Sequence, residues 1–105
     1  MVSRRSNTDR AAIVAALKNH AADIQQLGVI SLELFGSRAR GNERSDSDLD
    51  VLIAYDPRQK FSLYDLVSVE HFIEDLTGLS VHVSTRDGFR PDKLDRVIRD
   101  AVKVL

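Results

Sequence analysis

Two stretches decide how this chain is read: Leu34-Phe35-Gly36-Ser37-Arg38-Ala39-Arg40-Gly41 and, after a short polar loop, Ser45-Asp46-Ser47-Asp48-Leu49-Asp50-Val51. In Val29–Phe35, upstream of the first glycine, Ile30, Leu32 and Leu34 alternate with Ser31 and Glu33. That alternation predicts a strand with one face in the core. Gly36 ends it. Residues 48–55 alternate again, with Leu49, Val51 and Ile53 on one face and Asp48, Asp50 and Leu52 on the other. Two carboxylates are thereby expected to share a face.

Each residue type in these stretches has a chemical use. A glycine directly after a strand lets the backbone turn without a Cβ obstructing a bulky anion, and the amides beyond it can converge on phosphate oxygens. Ser37 adds a hydroxyl donor, and a short helix beginning at residues 38–41 would turn further amides toward negative charge. Asp48 and Asp50, two positions apart on a strand, are placed to bridge divalent cations. Magnesium suits such a pair, because it takes few carboxylates and completes its coordination with water and substrate phosphates. Two ions together would activate an attacking hydroxyl and stabilise a pyrophosphate leaving group.

Working outward, residues 8–27 carry Ile13, Leu17, Ala21, Ile24 and Leu27 at helical spacing. Thr8 or Asn7 is the expected cap, Asp9 suits the positive end of the helix dipole, and Gly28 ends the run. Asp56-Pro57 closes the second strand, and residues 61–76 read as a helix through Leu63, Leu66, Val69, Phe72, Ile73 and Leu76. Of these, Leu63, Leu66 and Phe72 are expected in the core, while Phe61 and Tyr64 are candidates for a partner surface. Residues 79–84 form a third strand with Val81 and Val83 inward, and Pro91 opens a last helix through Leu94, Val97, Ile98 and Val102. The expected order is helix, strand, strand, helix, strand, helix, which makes an α+β fold with a small mixed sheet flanked by helices.

The 105 residues are expected to form a single domain, 1–105, with no separate substrate-recognition module. A net charge of -1, from 15 Lys and Arg against 16 Asp and Glu, argues against direct, stable DNA binding. No cysteine is present, so disulfides and thiolate metal sites are excluded. No apolar run reaches membrane-spanning length and the opening residues lack a secretory pattern, so a cytoplasmic protein without membrane attachment is expected. Arg4, Arg5 and Arg10 read as a solvated basic opening, and His20 and His71 as ordinary surface residues.

Gly36-Ser37 closing one strand, followed by Asp48-Leu49-Asp50 on the next, resembles the DNA polymerase β-like nucleotidyltransferase superfamily. Within it the pattern is most similar to the minimal nucleotidyltransferases, including the MntA-like antitoxins paired with HEPN-domain toxins. The resemblance covers residues 34–53 and implies the polymerase β palm-like fold. Gly36 and Ser37 then hold the triphosphate, Arg40 is structural or faces phosphate, Asp46 orients the loop, and Asp48 and Asp50 are the metal ligands. It also implies ATP as substrate, Mg2+ as cofactor with two ions during turnover, and a HEPN toxin as acceptor, AMP being attached to a toxin tyrosine. The chain departs from the family at Leu79-Ser80-Val81-His82-Val83-Ser84, where His82 occupies the slot of a third carboxylate. Imidazole is a poor magnesium ligand but a competent base. His82 is therefore a candidate catalytic residue, and a second expectation stands beside the first: a catalytically weak or inactive protein that neutralises its toxin by binding. Transfer to a small molecule or RNA is disfavoured by the short chain and balanced charge.

Overall fold

The structure, a computed structural model, describes residues 9–44 and 46–105. Asp9 is itself the first helix cap, its Oδ1 accepting the Ala12 backbone N–H at 2.8 Å; the candidate caps Thr8 and Asn7 lie outside the described residues. The expected single helix is two, α1 (Arg10–Asn19) and α2 (Ala21–Gln26), because the backbone leaves helical geometry at His20. The His20 ring there meets Phe72 edge-on at 5.9 Å. Arg10 is not merely solvated: its guanidinium donates to the carbonyl of Ala39 at 2.7 Å, tying α1 to the short helical turn after the first strand. Arg4 and Arg5 lie outside the described residues.

Four strands form one sheet in the order β3-β2-β1-β4. β1 (Val29–Phe35) runs antiparallel to β2 (Leu49–Tyr55), and β2 runs parallel to β3 (Val81–Thr85). The sheet is therefore mixed, as expected. A register shift between Val29 and Ser31 turns Ile30 outward, where it is 56% exposed rather than buried with Leu32 and Leu34. Between the first two strands lies a single-turn helix, α3 (Gly36–Arg40), so residues 38–41 close a helix rather than begin one.

α4 (Leu63–Thr77) connects β2 to β3 and starts with a capping box between Ser62 and Asp65. Its Val69 and Ile73 meet Ile13, Leu17 and Ile24 of the first helices over the inward face of the sheet, formed by Leu32, Leu34, Leu49, Val51, Ile53, Val81 and Val83. Two expectations about this helix reverse. Leu63 is 74% exposed, whereas Phe61 packs against the core and stacks on Tyr55 at 4.6 Å; Tyr64 is the exposed aromatic, at 86%. Leu63 sits in the first turn, before the helix reaches over the sheet, so its period matches the buried stripe while its height does not.

α5 (Pro91–Arg99) stops before Val102, which instead begins β4 (Val102–Lys103). β4 pairs antiparallel with Glu33 and Leu34, and the Val104 amide donates to the Leu32 carbonyl at 2.9 Å. Without that pairing the edge of β1 would present unsatisfied backbone groups. The sheet's other face is crossed by a 3-10 turn (Arg86–Gly88) and Phe89. Arg86 pairs with Glu33, Phe89 meets Phe35 edge-on at 6.2 Å, and the Tyr55 hydroxyl donates to Asp87 at 2.6 Å. This strap sets where α5 begins. No helix among the described residues is long and apolar enough to cross a membrane.

Candidate active site

Backbone pairing brings the two decisive stretches together. Phe35, the last residue of β1, lies opposite Asp50 on β2, so the chain turns at Gly36 directly beside the Asp50 carboxylate. Gly36 has φ +77°, and a Cβ built on it would stand 2.3 Å from Asp50 Oδ2 and 3.2 Å from its Cγ. Both the left-handed backbone and the contact demand glycine. Ser37, half-buried, follows on the first turn of α3.

Asp48, expected to open the second strand, instead lies one residue before β2, in the loop, and is exposed. Its charge reaches Asp50 nonetheless. Burial pushes the Asp50 carboxyl above the usual carboxylate range; His82 opposes that shift, Asp48 adds to it, and Arg40 opposes it. His82 is opposite Asp50 in the parallel β2–β3 register, exposed on the adjoining strand. The structure thus gathers Gly36, Asp48, Asp50, His82 and Arg40 at one end of the sheet. Among the described residues the side chains of Ser37, Arg40, Asp48, Asp50 and His82 have no hydrogen bond or ion pair within the chain, and all remain available to a ligand.

The loop that delivers Asp48 is organised by a residue the sequence did not single out. Arg38 is 3% exposed, and its guanidinium donates to the carbonyl of Ser47 at 3.0 Å and more weakly to that of Arg44 at 3.4 Å. The Ser47 hydroxyl in turn accepts the Arg44 amide at 2.8 Å. The loop-orienting role expected of Asp46 falls instead to Arg38 and Ser47, since Asp46 is exposed and makes no hydrogen bond among the described residues. An arginine one position beyond a Gly-Ser turn reads as another phosphate contact. Only its burial reveals the other role.

Arg40 lines an open hollow of about 310 Å3, together with Phe35, Gly36, Lys93, Arg96, Val97 and Asp100. Lys93 and Arg96 were also missed. The available signal was their spacing: residues 93, 96, 97 and 100 share one face of α5.

No three His, Cys, Asp or Glu side chains among the described residues are arranged to hold a metal ion by themselves. The donor set still fits magnesium. Two neighbouring carboxylates without hydrogen-bond partners among the described residues, one strained by burial and by its neighbour's charge, are the kind of partial, oxygen-only donor set that Mg2+ could complete with phosphate and water.

The sequence profile of the nucleotidyltransferase domain matches residues 17–104. A Methanocaldococcus jannaschii protein named as a protein adenylyltransferase is 36% identical over 74% of this chain and 82% of its own length. The protein adenylyltransferase MntA of Thermococcus cleftensis is 29% identical over 88% of this chain and 92% of its own. Among solved structures, one described as a minimal nucleotidyltransferase superposes with a TM-score of 0.69 at 33% identity, covering 89% of each chain. The MNT antitoxin complex with the tri-AMPylated HEPN toxin of Shewanella oneidensis shares the fold, with a TM-score of 0.62 at 9% identity over 88% of this chain and 71% of that one.

Proposed function

The chain belongs to the nucleotidyltransferase domain family, and from that premise we propose that it transfers AMP from ATP to a protein acceptor, a HEPN toxin, and so acts as an antitoxin. The observation that carries the reading is the Asp50 carboxylate held against Gly36, with Asp48 and His82 beside it and none of the three hydrogen-bonded or ion-paired among the described residues. The names of the adenylyltransferase relatives support the transferred group. The antitoxin complex that shares the fold supports the acceptor.

In the transfer, an acceptor hydroxyl oxygen bonds to the α-phosphorus as the bond from that phosphorus to the oxygen leading to the β-phosphate breaks. Pyrophosphate leaves with the electron pair. Asp48 and Asp50 would hold Mg2+, which when bound neutralises phosphate charge and makes the attacking hydroxyl more acidic. Gly36 leaves room for the Asp50 carboxylate beside the turn, and the Ser37 hydroxyl donates to the phosphate tail. Arg40 offsets the charge that gathers as pyrophosphate departs. His82, level with Asp50 and solvent-facing, accepts the hydroxyl proton. Leu63, Tyr64 and Val67, the exposed apolar side chains at the start of α4, supply the surface on which a protein acceptor docks.

The test is incubation of the chain with ATP, Mg2+ and a HEPN partner, followed by intact-mass measurement of that partner. The partner should gain the mass of one or more AMP groups, and the gain should vanish with Asp48→Asn and Asp50→Asn. A tight complex without added mass would sink the transfer reading. One observation favours that second outcome: the position level with Asp50 is an imidazole, which leaves magnesium with two carboxylates. His82→Asp separates the two readings, since a large gain in labelling marks a site weakened by the histidine.

A further inference from the structure

α5 has no fully buried residue, and its sequence places Lys93, Arg96, Val97 and Asp100 on one face. That face lines the hollow of about 310 Å3 whose opposite wall is Phe35, Gly36 and Arg40. Three cations therefore face a space next to the glycine turn, against one carboxylate, Asp100. Among the described residues none of Arg40, Lys93 and Arg96 makes a hydrogen bond or ion pair, although Arg58 and Arg90 elsewhere pair with Asp56 and Asp92 nearby. Like charges gathered without partners repel one another, and an anion relieves that repulsion.

The strap holds this wall in place. Arg86–Glu33 and Phe89–Phe35 bind the segment before Pro91 to β1, the strand that ends at Gly36. α5 is thereby fixed relative to the phosphate turn by contacts that involve none of the three cations. The volume sits at the low end of ligand-site sizes, and the cation count suits a small polyanion.

We infer that Lys93 and Arg96 of α5, together with Arg40, bind the pyrophosphate half of the nucleoside triphosphate, the part that leaves, and rest this on the nucleotidyl-transfer reading above. Arg40 links the two regions, since its charge also bears on Asp50. Lys93 and Arg96 are binding residues for the leaving group rather than for AMP, so their loss weakens ATP and pyrophosphate while leaving AMP unaffected.

The experiment is calorimetric titration of the full chain with inorganic pyrophosphate, without metal and at low salt, with AMP and orthophosphate titrated alongside. The native chain should bind pyrophosphate more tightly than either, and Lys93→Gln with Arg96→Gln should weaken pyrophosphate at least tenfold. Arg99→Gln, on the same helix but outside the hollow, should leave it unchanged. Thermal melting checks that the double variant is folded. Pyrophosphate binding that is absent, or equal in the double variant, overturns the inference. Failure here is separable from failure of the activity: pyrophosphate held through these residues by a chain that never labels a partner leaves the inference standing and removes the transfer. AMP transfer with an unchanged KM for ATP in the double variant does the reverse. A double variant that loses its protein partner but keeps pyrophosphate would show that the face reads an acidic protein segment instead, and also overturns it.

Discussion

The two ends of α3 carry the same residue with nearly the same positive φ, and only one of them is part of the site. Gly36 enters the turn with φ +77° and Gly41 leaves it with φ +79°. A Cβ on Gly41 would meet nothing within 4 Å, whereas one on Gly36 would drive into the Asp50 carboxylate. A positive φ alone thus explains why glycine is favoured, not what it serves. What distinguishes Gly36 is the atom it makes room for.

The comparison is broken most directly by giving both glycines the same methyl group. Gly36→Ala should lower AMP transfer roughly a hundredfold, because a carboxylate displaced by about an ångström loses its placement for catalysis. Asp50→Asn should cost at least as much, and combining the two should cost little more than either alone, since both act through one side chain. Labelling of the acceptor at saturating ATP measures all three. A fully active Gly36→Ala protein would mean that Asp50 moves aside freely and that its contact with the turn is incidental.

Between the two glycines stands Arg38, and it sharpens the contrast by acting on the loop rather than the turn. Arg38→Ala removes buried hydrogen bonds to the Ser47 and Arg44 carbonyls and should destabilise the protein by roughly 2 kcal/mol, read from denaturant midpoints. Arg38→Lys should recover only part of this, since an ammonium cannot span two carbonyls as a planar fork does. Gly41→Ala comes next in size. It should cost about 1 kcal/mol from the left-handed backbone alone and leave the KM for ATP untouched.

The same contrast separates what local sequence makes legible from what only the fold creates. Gly36, Asp50 and the three main strands were legible because their spacing is local: alternation assigns a face, and glycine assigns a turn; Asp48, expected on the strand, stands one residue before it. His82 was singled out only through the resemblance, as the occupant of a third-carboxylate slot; alternation assigns its face, while its level with Asp50 comes from the β2–β3 pairing. What escaped depended on contacts distant in sequence. Arg38 and Arg40 are equivalent on paper, yet one is buried under a loop and the other faces a hollow. Val102 fits a helical period but pairs with β1 because that edge needs a partner. Ile30 fits the strand's alternation and loses its place to a register shift. Lys93 and Arg96 carry no local signal of a site, because only the strap brings their helix against Gly36.

The smallest expected effect tests Asp50 from the side of stability. Its carboxyl titrates above the usual range, chiefly because of burial and with a further push from Asp48. The folded state therefore holds the proton more tightly than the unfolded state, so this group favours folding below the ordinary carboxylate pKa. That contribution is lost as pH rises through the elevated folded value. At neutral pH without metal the ionised Asp50 opposes folding, and Asp50→Asn should raise the melting temperature by about 1–3 °C. The gain should shrink as pH falls into the carboxylate range, where the native side chain is protonated as well. Added Mg2+ should stabilise the native chain and not the variant, because only the native pair of carboxylates is relieved by a cation. Gly41→Ala, far from any carboxylate contact, should shift the whole curve by a constant amount with no such pH dependence. If the two variants instead showed parallel pH profiles, Asp50 would be no more burdened than a surface carboxylate, and the difference between the two ends of α3 would reduce to backbone conformation.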